Sequence, residues 1–196
     1  MHNCIFSGHC FDYSKCDNSC PALAQTSYLL ERNDISMNSP VFSMSDEELA
    51  RVNSILKQSD GQVRSVFESY STNKLADEIT YVSICNKWKG SRLHCTVYNL
   101  KLSSYIQQIQ NSWTNGSSSD MDYMKIWISS ADILVISNID FINFKDFPCQ
   151  TLLSLLQSRE RPGLTTIIVS PPTSSLVGEG PFFGRLLELL NRNKVV

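Results

Sequence analysis

The chain has 196 residues, seven cysteines, eight glycines and a net charge of −2. At ~100–200 residues per domain this is one domain, with room for a small appendage. No apolar run approaches the ~20 residues of a membrane span. The charge balance excludes a globally basic nucleic-acid binder but leaves room for a local basic patch. The first residues are polar and Cys-rich and do not read as a secretory signal, so a cytoplasmic location is expected.

Four cysteines open the chain: Cys4, Cys10, Cys16 and Cys20, followed by Pro21. Their spacing is C-x5-C-x5-C-x3-C. Four thiolates this close in sequence can close a tetrahedral zinc site, with His2 and His9 as substitute ligands. Reduced structural cysteines or two disulfides would explain the same residues, but disulfides need an oxidising compartment. Four protein ligands leave no open coordination position, so the expected zinc is structural. It would supply folding energy to a polar stretch that cannot bury a core of its own. Residues 1–42 are therefore expected to be a zinc module and linker, and 43–196 an α/β domain.

Ser45-Asp46-Glu47-Glu48 is a capping box, and Leu49, Val52 and Leu56 continue at helical spacing, predicting a helix over 46–57. Ser59-Asp60-Gly61 breaks it. Gln62–Phe67 reads as a strand and 72–88 as a helix. Leu93–Leu100 is rich in strand formers. Leu102, Tyr105, Ile106, Ile109 and Trp113 then repeat as the clearest amphipathic helix in the chain. Residues 115–119 read as a surface loop, and 121–129 as a short helix. Ile133–Ile136 is the unbroken apolar run of a strand covered on both faces. A helix at 148–158, a strand at Thr165–Val169 and a helix at Phe182–Leu190 follow. Lys194-Val195-Val196 reads as the opening of a further strand. Strands alternating with helices predict a parallel sheet of about five strands flanked by helices.

The first strand-to-helix junction tests for a nucleotide site. A phosphate loop reads G-x-x-x-x-G-K-[ST], with glycines that let backbone N–H groups face the phosphates. Here no glycine lies between Gly61 and Gly90, and the junction ends Asn73-Lys74-Leu75. Lys74 alone reads as a helix-surface lysine. Leu75 stands where a Mg²⁺-binding hydroxyl would be. After Ile133–Ile136, where an ATPase would place acids, come Ser137 and Asn138. Asp140, two residues on, reads as a turn residue. Losing cradle, metal ligand and acids together predicts no ATP binding and a pseudo-ATPase at most.

The order of these segments resembles the AAA+ replicative-helicase loaders of bacteria and phages, the DnaC/DnaI type, above all phage versions with a Cys-bearing N-terminus. The cysteine run with Tyr28-Leu29-Leu30-Glu31 is similar to their N-terminal module. Leu93–Leu100 with Ser103-Ser104-Tyr105-Ile106 is similar to their second strand and helix. Ala131–Ile136 looks like their Walker B strand. Thr165–Ser170, Gly184-Arg185-Leu186-Leu187-Glu188 and Lys194-Val195-Val196 look like their sensor strand and terminal segment. The resemblance implies a P-loop/AAA+-like sheet. It implies that Arg185 is a candidate partner contact, since the family uses an arginine there on a neighbour's nucleotide. Pro171 replaces the family's sensor asparagine.

Three functions follow as expectations. The first is a non-catalytic adaptor that binds a replicative helicase or another replication ATPase, as a monomer or hetero-complex. The second is an inhibitor of a host defence or replication enzyme. The third is a single-stranded nucleic-acid module, built on Lys87, Trp88, Lys89 and Arg92, where basic and aromatic residues interleave. A solvated turn after a helix is the commoner explanation of that cluster, because the chain as a whole is acidic.

Overall fold

The computed structural model describes residues 21–36, 39–87, 96–115, 119–139, 145–161 and 163–195. Its centre is a parallel sheet of four strands: β1 (Arg64–Glu68), β2 (Val97–Lys101), β3 (Ile133–Ser137) and β4 (Thr165–Ser170). The spatial order is β1-β4-β3-β2. Val66 stands opposite Ile168, Val135 opposite Ile167, and Asn99 opposite Val135.

The sheet has four strands among the described residues, where about five were expected. Lys194 makes only an isolated parallel bridge to Val66 on the free side of β1. Two hydrogen bonds hold it: the Val66 N–H donates to the Asn193 carbonyl at 2.9 Å, and the Val195 N–H to the Val66 carbonyl at 3.0 Å. Of the strand suggested by Lys194-Val195-Val196, the described residues Lys194 and Val195 form that bridge alone.

Seven helices flank the sheet among the described residues: α1 (Pro21–Arg32), α2 (Asp46–Ser59), α3 (Thr72–Lys87), α4 (Leu102–Asn115), α5 (Ser119–Ser130), α6 (Asp146–Ser158) and α7 (Pro181–Arg192). The connection from β1 to β2 crosses the sheet in one direction. Those from β2 to β3, β4 and the Lys194 bridge run the other way. Right-handed crossovers then put α3 on one face and α4–α7 on the other. The two cores match this. Phe67, Val135, Ile167 and Val169 pack with α1, α2 and α3. Val66, Leu134, Ile136 and Ile168 pack with α4 to α7. Neighbouring residues of one strand face opposite cores, the period-2 rule of a sheet covered on both sides.

The capping box is present as read: the Ser45 hydroxyl accepts from the Glu48 N–H, and the Ser45 N–H donates to the Glu48 carboxylate. The 3.6-residue repeat of α4 buries Leu102, Tyr105 and Ile106, while Trp113 stays exposed and meets the Phe147 ring edge-on at 4.8 Å. Gly180 caps the start of α7 at φ 89°, and a Cβ there would collide with the Asp146 carboxylate. Both the backbone and the close approach require glycine.

Helix α1 is the element that sequence reading missed. It lies in the stretch read as appendage, yet Leu30, Ile35 and Val41 sit in the same cluster as Leu75, Ile79 and Val82 of α3. These residues precede the expected boundary at 42/43 and share a core with residues after it. Cys4, Cys10, Cys16 and Cys20 lie outside the described residues, as do His2, His9, Cys95 and Asp140. Among the described residues no group of three or more His, Cys, Asp and Glu is placed to hold a metal, and no helix is long and apolar enough to cross a membrane.

Two buried polar side chains bolt the sheet. Arg159 follows α6 and is fully buried. Its guanidinium donates to the Ile128 carbonyl at 2.6 Å, the Ala131 carbonyl at 2.8 Å, the Thr165 carbonyl at 3.0 Å and the Thr166 hydroxyl at 3.0 Å. A cation at the carbonyl end of α5 also meets the negative end of that helix dipole. Burial pulls the guanidinium down to about 10, so it stays charged at neutral pH. Asn33 plays the second role, just past α1. Its amide oxygen accepts from the Asn99 N–H at 2.6 Å, and its amide nitrogen donates to the Leu29 carbonyl at 2.7 Å and the Val97 carbonyl at 3.4 Å. It gives the outer edge of β2 the partner that a neighbouring strand would have supplied.

Candidate functional site

In open α/β sheets ligands bind beyond the carboxyl ends of the strands, where successive connections leave towards opposite faces. Here that point lies between β1, which leads to α3, and β4, which leads to α7 on the other face. The residues at that end are Glu68 and Ser69 at the end of β1, Ser170 and Pro171 at the end of β4, and Ser137 and Asn138 at the end of β3.

The six positions of a phosphate loop before its lysine would be Glu68 to Asn73. In the fold Glu68 ends β1, and Thr72 and Asn73 already belong to α3. Only Ser69, Tyr70 and Ser71 connect them. The turn is closed by its own bonds: the Ser69 N–H donates to the Ser170 carbonyl at 2.8 Å, and the Ser71 N–H to the Ser69 hydroxyl at 3.1 Å. Two N–H groups that a cradle would point at phosphate are therefore used internally.

Glu68 spans the crevice mouth. Its carboxylate accepts from the Thr173 N–H at 2.8 Å and the Thr173 hydroxyl at 3.0 Å, and pairs with Lys194 at 2.6 Å. The Lys194 and Thr173 contacts hold it below the usual carboxylate range.

Lys74 is the third residue of α3, and its ammonium is engaged by carboxylates. It lies 2.7 Å from Glu48 of α2 and 3.5 Å from Glu78 of its own helix. Glu78 is fully buried and takes a second cation, Arg51, at 2.7 Å. Leu75, at the position of a metal-binding hydroxyl, points into the core and is buried. Asn73 is exposed.

Ser137 is the last residue of β3 and Asn138 follows it. The Ser137 hydroxyl and the Asn138 amide oxygen are buried with no hydrogen-bond partner. Asn138 takes the left-handed conformation, φ 57°, which asparagine tolerates better than most residues. The chain then drops Ile139 into the core.

The other predicted residues are not gathered here. Arg185 is exposed on α7 and lines a separate groove with the start of β1. Lys87 is the last residue of α3, and Trp88, Lys89 and Arg92 lie outside the described residues. Sequence reading missed Glu68 and Glu78. Glu78 stands four residues after Lys74 on the same helix, a signal that was available.

The Lys74–Glu48 pair carries a pH prediction. Lys74 and the Ser45 N–H hold the Glu48 carboxyl down at about 2, from an ordinary 4.5. A depressed carboxyl contributes stability that is complete above pH 4.5 and lost as pH falls towards 2. Glu68 is depressed in the same direction. Urea midpoints measured from pH 7 down to pH 3 should fall below about pH 4.5, and Glu48→Gln should flatten part of that fall. An unchanged profile in Glu48→Gln would show that the pair contributes nothing.

Comparison with known proteins adds a fold likeness. No family model matches the sequence, and no curated protein matches it. A solved structure titled as a DNA replication initiation factor is similar, with a TM-score of 0.56 at 13% sequence identity. The alignment covers 78% of this chain and 46% of that one, so this chain spans under half of its neighbour's length. The shared feature is the fold: an α/β parallel sheet flanked by helices, compatible with the P-loop/AAA+-like arrangement.

Proposed function

We propose that this chain is a non-catalytic, helicase-loader-like adaptor. It binds a replicative helicase or another replication ATPase and assists or blocks its action on DNA. The observation that carries the reading is the junction between β1 and α3. A three-residue turn replaces the phosphate loop, and the lysine that would meet phosphate is engaged by Glu48 and Glu78. An incoming phosphate would have to displace those carboxylates. A like charge at about 4 Å costs ~4 kcal/mol at an effective dielectric of 20. The likeness to a replication initiation factor supports the choice of pathway, and the resemblance to helicase loaders supports the choice of partner.

The same reading gives Cys4, Cys10, Cys16 and Cys20 a structural zinc ion and a docking role. Affinity purification of the tagged full chain, with and without a chelator, tests both parts. The expected result is a replicative helicase or replication ATPase enriched in near-stoichiometric amount, with enrichment lost in chelator. Recovery of no replication protein would contradict the adaptor role. Chelator-insensitive enrichment would contradict the zinc module.

A further inference from the structure

We propose that the groove between α7 and the leading end of β1 binds the phosphodiester backbone of a nucleic acid. This surface is separate from the crevice at the strand ends, and the proposal does not rest on the adaptor reading. The groove encloses about 850 Å³ and is lined by four arginines: Arg64, Arg161, Arg185 and Arg192. Two acids share it, Glu160 and Glu188.

The charges do not cancel. Arg64 and Glu160 form an ion pair and neutralise each other. Arg161, Arg185 and Arg192 are exposed and make no ion pair among the described residues. Glu188 stands three residues after Arg185 and four before Arg192, spacing that permits helix pairs, yet it bonds neither. Three free guanidinium groups therefore face one free carboxylate, on a chain whose net charge is −2. The groove has the opposite sign to the protein that carries it.

Its chemistry favours phosphate over bases. A guanidinium meets two phosphate oxygens with a fork of parallel N–H donors. Arg185 and Arg192 lie two turns apart on α7, about 10.5 Å along the axis. That matches roughly three nucleotide steps of ~3.4 Å measured along a duplex axis. The remaining wall includes Val63, Leu153 and Leu189 and no aromatic ring. Stacking platforms, which single-strand readers use for bases, are absent from the lining. The expected binding is through the backbone and without sequence preference.

Fluorescence anisotropy of the full chain tests this, with a labelled 20-nucleotide single strand and a 20-base-pair duplex over a range of salt. Wild type should bind at least one of them, with log K falling linearly against log salt. The triple variant Arg161→Gln/Arg185→Gln/Arg192→Gln removes exposed side chains and should retain its fold by circular dichroism. It should bind at least about tenfold more weakly, with the salt slope reduced by roughly 2 to 3, since each phosphate contact contributes ~0.7–0.9. Glu188→Gln should tighten binding several-fold. Equal binding by wild type and triple variant, or no DNA binding at low salt, would overturn the proposal. So would displacement of DNA by poly-glutamate at lower concentration than unlabelled DNA, which would assign the groove to an acidic protein segment. Binding that survives the triple variant but is lost in Lys89→Gln/Arg92→Gln would move the contact to that cluster and also overturn it.

Discussion

Arg159→Ala should lower the unfolding free energy by about 3–5 kcal/mol, since it removes four bonds from a charged donor, each worth about 1.5–3 kcal/mol, and also removes the cost of burying that charge. Among the described residues Arg159 is the largest fully buried side chain, and its four donated bonds end on three main-chain carbonyls and the Thr166 hydroxyl. Truncation leaves the Ile128 and Ala131 carbonyls and the Thr166 hydroxyl buried without that donor. It also unties α5 from β4, since the Ile128 carbonyl belongs to the last turn of α5, the Ala131 carbonyl to the residue that follows it and the Thr165 carbonyl to the start of β4. Arg159→Lys keeps the charge but cannot reach four acceptors in a plane, so most of the loss should persist. Arg159→Met fills volume without donors and should fall between the two. Urea unfolding followed by far-UV circular dichroism gives these values. A loss under about 1 kcal/mol in Arg159→Ala would show that the bonds are not formed in solution.

The second large effect is expected at Asn33. Asn33→Ala removes the acceptor for the Asn99 N–H and the donor to the Val97 carbonyl, both on the edge strand β2. Leaving a buried backbone donor unpaired costs about 1–3 kcal/mol. Asn33→Asp keeps the acceptor and loses the donor, so it should cost less than alanine while ionised. Hydrogen exchange localises the effect. The Asn99 amide should lose protection in Asn33→Ala, while amides of β4 at the sheet centre should keep theirs until global unfolding. A stability change below a few tenths of a kcal/mol would mean that the edge needs no such partner. The exposed bare edge should also raise the tendency to self-associate.

These two residues mark where sequence reading stops. The strands could be read because their cause is local: Ile133–Ile136 and Thr165–Val169 are apolar runs, and burial on both faces of a parallel sheet demands that pattern. Helix α4 shows its repeat directly, and α2 its capping box. Arg159 and Asn33 show nothing locally. Their roles arise only when the fold brings residues 28–31 positions or 64–66 positions away into hydrogen-bonding distance. Helix α1 was missed for a related reason. Among its described side chains the buried ones are Thr26 and Leu30, a polar and an apolar residue that announce no stripe, and Leu30 shares its core with residues of α3.

The candidate site was legible in part. The absent glycines, Lys74, Ser137 and Asn138 could all be read along the chain. The tie of Lys74 to Glu48 and Glu78 could not, because Glu48 is 26 residues away on another helix. Nor could the Glu68 contacts, which bring Thr173 and Lys194 to the end of β1 from the far end of the chain. Arg185, read as a partner contact by resemblance, proves to share a groove with Arg161 and Arg192, which no linear motif joins.

The central claim is that the lysine at the start of α3 is held by the chain's own carboxylates and is not free to meet a phosphate. Isothermal titration of the full chain with Mg·ATP tests it most directly. The account predicts no saturable binding, or a Kd weaker than about 1 mM, equivalent to less than ~4 kcal/mol. A low-micromolar Kd, near ~8 kcal/mol, that disappears in Lys74→Ala would contradict it.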